Sequence, residues 1–160
     1  MNELLNKETV KRVEKSLREF DINLKVIALD KTAKTAKDAA SSLKSELGAI
    51  VKSLVFKAEG EFLVCLVSGD KRCSLNKLKK ILDKKDVAMA NANEVKDHTG
   101  FSIGGVAPTG HLKKLKIIID KSLSRFKYVY GAAGHPDCVF KITYSELVKL
   151  TGGKEEEIIE

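Results

Sequence analysis

Lys52 is the residue whose type conflicts most with its surroundings. In an extended segment its side chain shares a face with Ile50, Leu54 and Phe56, while Val51, Ser53 and Val55 occupy the other face. An unpaired ammonium among apolar neighbours is costly to bury. The side chain therefore either snorkels to water or enters a cleft where an anion meets it. Two stretches of small residues could wall such a cleft. The first, Thr99 to Gly110, contains Gly100, Gly104, Gly105 and Gly110 together with Pro108. Its glycines permit positive φ and close approach by a ligand, and successive N–H groups there can converge on an oxygen. The second, Tyr130-Gly131-Ala132-Ala133-Gly134-His135-Pro136, follows a predicted strand and holds the only other proline. Two such loops beside strand ends can enclose a small group.

Other chemistries find no support in the spacing. His98, His111 and His135 are dispersed, without HExxH or triad-like partners, and there is no GxSxG or Walker sequence. Cys65, Cys73 and Cys138 form no CxxC pair and have no histidine at metal-ligand spacing. Neither a metal nor a cofactor is expected. An enzyme built on these residues would activate water without a protein nucleophile.

The elements that must position these residues can be read from periodicity. Val10, Val13, Leu17 and Phe20 share one helical face, predicting a helix from Lys7 to Glu19, with a strand at Leu24 to Ala28. Thr35-Ala36-Lys37-Asp38 reads as a capping box for a second helix with Ala36, Ala39, Ala40, Leu43 and Leu47 as its buried stripe and Gly48 as its stop. Ile50 to Phe56 and Phe62 to Val67 read as strands joined by a turn at Glu59-Gly60. Ser74 caps a helix carrying Leu75, Leu78 and Ile81. A strand at Val87 to Ala90 and a helix at Ala92 to His98 follow. Further strands are predicted at Leu115 to Ile119, Tyr128 to Tyr130 and Val139 to Ile142, and a helix at Tyr144 to Leu150. This interleaving without strict alternation predicts a mixed α/β domain.

The 160 residues suit one domain, predicted over residues 1–153, with Gly152-Gly153 releasing an acidic tail at 154–160. No stretch approaches the ~20 apolar residues of a membrane span, and Met1 to Lys7 lacks a signal-peptide core, so a cytoplasmic protein with no membrane partner is expected. The net charge of +7 divides into −3 for the last seven residues and +10 for the rest. That surplus favours a polyanionic partner, although solubility alone also explains it.

Taken in order, Val51-Lys52-Ser53-Leu54-Val55, Ser74-Leu75-Asn76-Lys77-Leu78, Met89-Ala90, Thr99-Gly100-Phe101, Gly104-Gly105-Val106-Ala107-Pro108-Thr109-Gly110 and Gly134 resemble the YbaK/prolyl-tRNA-synthetase-associated family across residues 20 to 153. The resemblance implies a curved mixed sheet, barrel-like, with peripheral helices. It also implies deacylation of mischarged tRNA in trans, on substrates like cysteinyl- or alanyl-tRNA(Pro), with an aminoacyl-tRNA synthetase as a possible partner. The family's lysine falls on Lys52, its small hydroxyl on Ser53, its GxxxP loop on Gly104 to Pro108 and its second pocket loop on Ala132 to His135. Two departures leave the edited amino acid open. Members acting on cysteinyl-tRNA carry a serine and two glycines where Ala132-Ala133-Gly134-His135 stands, and a tyrosine where Leu29 stands.

In this reading Lys52 holds the phosphate or ribose end of the terminal adenosine. Gly104 and Gly105, with Val106 and Ala107, present N–H groups to the ester carbonyl and the water, and Pro108, which has no N–H, fixes the bend of this substrate-binding loop. Ala132, Gly134 and His135 bound the side-chain pocket. A non-catalytic RNA-binding module would use the same basic surface without ester loss. A hydrolase of small free esters or thioesters would leave the charge unexplained. The oligomeric state is not readable.

Overall fold

The computed structural model describes residues 3–30 and 35–160. Met1, Asn2 and Lys31 to Lys34, all within the predicted domain, lie outside the described residues. Helix α1 (Glu8–Phe20) buries Val10, Val13 and Leu17 of the predicted stripe, while Phe20, in its last turn, is exposed. Strand β1 (Val26–Ala28) starts two residues later than expected. Helix α2 (Ala36–Leu43) begins with the predicted capping box, in which the Thr35 hydroxyl accepts from the Asp38 N–H. It stops at Lys44 rather than Gly48. Lys44 takes the left-handed conformation and its N–H donates to the Ala40 carbonyl.

Strands β2 (Val51–Ala58) and β3 (Glu61–Ser68) form a hairpin. Glu59 and Gly60 have φ of 49° and 88°, the pair of positive angles that a two-residue type I′ turn requires. Ser74 caps α3 (Leu75–Leu82), β4 (Val87–Met89) follows, and an Asn91–Glu94 capping box opens α4 (Ala92–Thr99). After the glycine loop come β5 (Lys116–Asp120), a 3-10 turn at Lys121–Arg125 that periodicity does not reveal, β6 (Tyr128–His135) and β7 (Cys138–Thr143). A third capping box, Thr143 with Glu146, opens α5 (Tyr144–Thr151), and β8 (Lys154–Glu156) closes the chain.

The strands form two sheets, β1-β7-β6 and β4-β2-β3-β5-β8, with β3-β5 and β5-β8 parallel and the other pairs antiparallel. The mixed α/β class is as expected; the two sheets do not close into a barrel and are joined by a parallel bridge between Ile50 and Tyr130. The main core fills the space between them with Val51, Val55, Val64, Leu66, Ile119 and Phe140, covered by α1. Alternate residues of the larger sheet, including Phe56, Cys65, Val67 and Ile118, pack on its other side against Leu78 of α3. β3 is thus buried on both faces, which is why Phe62 to Val67 reads as an unbroken apolar run.

Two further expectations are corrected. Residues 154–160 do not leave the domain. β8 pairs in parallel with β5, and Ile158 is fully buried in the second core. Two isoleucines among the glutamates supply the apolar contact that a purely charged segment would lack. Nor is Tyr130 to Pro136 a free loop: Tyr128–His135 is one strand with a bulge between Ala132 and His135.

Candidate functional site

The cleft arises from incomplete strand pairing. β4 reaches only Phe56 to Ala58 of β2, with one further bond from the Ala90 N–H to the Val55 carbonyl (3.0 Å). Beyond Val55 the outer edge of β2 has no strand partner among the described residues until the Ile50–Tyr130 bridge. Main-chain groups alternate sides along a strand, so those of Ser53 face the same open edge as the Val55 carbonyl. The gap holds a cleft of about 270 Å³, walled by Ile50 to Val55, the start of α2, Met89, Ala90, Ile103, Gly104, Val106, Tyr130, Ala132, Pro136 and Val139.

The walls are mostly apolar, and two polar side chains stand out. Lys52 is half-buried and its ammonium donates to the Lys71 carbonyl at 2.5 Å, so it neither snorkels freely nor sits unpaired. Burial lowers its pKa from the ordinary lysine value, Asp70 opposes that shift, and Arg72 adds to it. An ammonium has three donors, so the Lys71 bond leaves capacity for a bound anion. The Ser53 hydroxyl is enclosed and has no hydrogen-bond partner among the described residues. Orphaned buried hydroxyls are uncommon and point to a ligand or water that completes them.

The glycine loop forms the facing wall. The Gly105 N–H donates to the Ser102 carbonyl (2.9 Å) across a turn in which Gly104 has a φ of 93°, the angle a type II turn needs at its third position. Among the described residues, the N–H groups of Gly104 and Val106 meet no backbone acceptor. Gly105 is buried because its α-carbon lies on the backbone of β6. A Cβ there would fall 3.1 Å from His135 Cα and N. Ala107 and Pro108 are buried beneath the turn rather than exposed in the cleft. Pro108 packs on Gly131, whose added Cβ would meet its ring at 3.0 Å and the Phe140 ring at 2.9 Å.

The loop is also fastened from behind. His111 Nε2 lies 2.6 Å from the Ala107 carbonyl, and burial lowers the His111 pKa. The neutral tautomer with its proton on Nε2 satisfies that contact. Arg12 of α1 donates to the carbonyls of Gly110 (2.8 Å) and Thr99 (3.3 Å) and lies over the Phe101 ring at 4.5 Å.

Lys52, Ser53, Gly104, Val106 and Ala132 therefore meet around one cleft. Gly105, Ala107, Pro108, Gly134 and His135 stand behind its wall. Gly134 has a φ of 88° and lies against α1, where a Cβ would fall 2.6 Å from the Thr9 carbonyl oxygen. The His135 Nδ1 accepts from the Asp137 N–H at 3.0 Å. Ile103 and Tyr130, from the two stretches expected to wall the cleft, also line it, as does Met89, which was not named as a site residue. Met89 and Ile103 are 58% and 62% exposed. The exposure of Met89 and Ile103 has no signal in the sequence, since an isolated apolar residue carries no sign of it.

Residues 30–150 match the family model described as an aminoacyl-tRNA editing domain. The chain is 32% identical over 130 residues to YwhH, an uncharacterized protein of Bacillus subtilis, covering 81% of this chain and 82% of that one. It is 35% identical over 99 residues to a proline–tRNA ligase of Thermosipho africanus, covering 61% of this chain but only 18% of the ligase. The crystal structure of a candidate trans-editing enzyme for prolyl tRNA synthetase superposes with a TM-score of 0.91 at 37% identity, covering 96% of this chain and 98% of that one.

Proposed function

The chain belongs to the aminoacyl-tRNA editing domain family, and on that premise we propose that it hydrolyses the ester of mischarged tRNA in trans, with alanyl- or cysteinyl-tRNA(Pro) as substrate. The observation that carries this reading is the composition of the cleft: Lys52, the orphaned Ser53 hydroxyl and a glycine turn within mostly apolar walls. An aminoacyl ester is already activated, so positioning and stabilisation of the developing oxyanion account for most of the required acceleration.

Lys52 leaves the Lys71 carbonyl, or shares it, to hold the phosphate or ribose of the terminal adenosine. The N–H groups of Gly104 and Val106 face the ester carbonyl. The Gly105 N–H is already engaged and instead keeps the turn closed. Water adds to the carbonyl carbon, the ester C–O bond breaks, and the ribose hydroxyl leaves with a proton as the amino acid departs as its carboxylate. The tRNA 2′-hydroxyl assists; in cysteinyl-tRNA the substrate thiol offers a second route, in which it adds to the carbonyl carbon, the ribose hydroxyl leaves with the thiol proton, and water opens the resulting thiolactone to cysteine. Ser53 binds substrate or water, and Ala132 limits the side-chain pocket. Ala107, Pro108, Gly134 and His135 act as the packed support of that wall. The apolar walls favour a small side chain by exclusion, since one methylene is worth only about 1–3 kcal/mol. The protein works beside a prolyl-tRNA synthetase in the cytoplasm.

The test is amino acid release from a panel of mischarged tRNAs. The proposal expects turnover of alanyl- or cysteinyl-tRNA(Pro) and none of prolyl-tRNA(Pro). Salt-sensitive tRNA binding without release from any member would make the chain a non-catalytic RNA-binding module.

A further inference from the structure

A terminal ester can enter the cleft only if the preceding nucleotides leave over one of its walls. Tyr130 is the wall that the cleft shares with a second, more open concavity of about 370 Å³. That concavity is lined by four cations, Lys44, Arg125, Lys127 and Lys141, against one carboxylate, Glu46. Arg125 is held by Asp70 at 2.8 Å, whereas the three lysines have no carboxylate within ion-pair distance among the described residues.

Strand register explains the arrangement. Tyr130 lies opposite Lys141 across β6 and β7, and Tyr128 is two residues from Tyr130, so all three side chains share one face. Val129, Phe140 and Ile142 take the other face into the core. Tyr128 is 42% exposed, with Lys141 Nζ 4.3 Å and Lys127 Nζ 5.5 Å from its ring centre. An exposed Tyr128 ring and a partly buried Tyr130 ring, about 7 Å apart along the strand and flanked by lysines, form a platform for unpaired bases and their phosphates. A duplex hides its base faces and cannot use the rings.

We infer that the single-stranded 3′ end of the RNA crosses the Lys127–Tyr128–Lys141 face and passes Tyr130 into the cleft. The direction of that path rests on the deacylase reading above; the binding surface itself does not.

The experiment is fluorescence anisotropy of the full chain with a 5′-labelled eight-nucleotide RNA ending in CCA, alongside a blunt RNA duplex of equal length. The single strand binds more tightly than the duplex. Tyr128→Ala weakens it about tenfold through lost stacking. The double variant Lys127→Ala/Lys141→Ala lowers the slope of log affinity against log salt by about 1.4, at about 0.7 per phosphate contact. With aminoacyl-tRNA, both variants raise KM while kcat holds. Equal binding of strand and duplex, or variants that bind like the wild type, overturns the surface. Binding that follows the expected pattern without any deacylation removes the enzymatic reading and leaves the surface standing. Deacylation with unchanged KM in the variants does the reverse.

Discussion

Replacing Gly105 by alanine tests whether the turn wall is fixed by main-chain contact. The added Cβ would lie 3.1 Å from both Cα and N of His135 and 3.2 Å from the Gly134 carbonyl carbon. All three atoms are backbone of β6, which is paired to β7 and packed against α1 through Gly134. None can rotate away, so the turn or the strand must retreat by a few tenths of an ångström. Overpacking of this kind costs about 1–3 kcal/mol. At about 2–4 °C per kcal/mol for a chain of this size, the melting temperature falls by roughly 2–12 °C. Misplacement by 1 Å can cost about 100-fold in rate, so a shift of a few tenths predicts a loss in kcat/KM of about tenfold. Gly60→Ala is the control. Gly60 has a φ of 88° but nothing within 4 Å of an added Cβ. That variant carries backbone strain of about 1–2 kcal/mol and no change in deacylation. Calorimetry and single-turnover deacylation read both effects. A Gly105→Ala protein that melts and turns over like the wild type would refute the rigid-wall argument.

Other outcomes follow from the same geometry. The folded protein holds His111 below its ordinary value of 6.5, so the unfolded chain binds the proton more readily. The associated stability is complete above pH 6.5 and is lost as pH falls toward the lowered value; His111→Gln, which donates to the Ala107 carbonyl without titrating, flattens that part of a melting-temperature profile. Ile158→Ala removes a fully buried side chain from the second core and costs about 2–5 kcal/mol in denaturant titration. A loss below 0.5 kcal/mol would return residues 154–160 to the status of a loose tail.

Local signals in the sequence were strong where a backbone group needs a specific partner. Thr35 and Ser74 cap their helices, and Glu59-Gly60 turns the hairpin, as their residue types require. Lys52 was legible because a charge interrupted an apolar face. Gly131 and Gly134 misled, since both roles of glycine look alike in sequence. Here they permit contact with Phe140, Pro108 and the Thr9 carbonyl inside a strand instead of forming a loop. The parallel pairing of β5 with β3 and β8 depends on distant partners and has no local mark. Tyr130, Met89 and Ile103 join the cleft only because β4 stops short of Val55, a fact of pairing rather than of composition.

The central claim is that the Lys52 ammonium, at the open edge of β2, holds the end of an aminoacyl-tRNA during ester hydrolysis. Single-turnover deacylation of alanyl- and cysteinyl-tRNA(Pro) by the wild type and by Lys52→Ala tests it most directly. Loss of a charge-assisted contact made to the reacting end predicts a fall of about 100-fold, with an unchanged fold by circular dichroism and incomplete recovery in Lys52→Arg. Equal rates for the wild type and Lys52→Ala, or no release by the wild type from either substrate, would contradict the account.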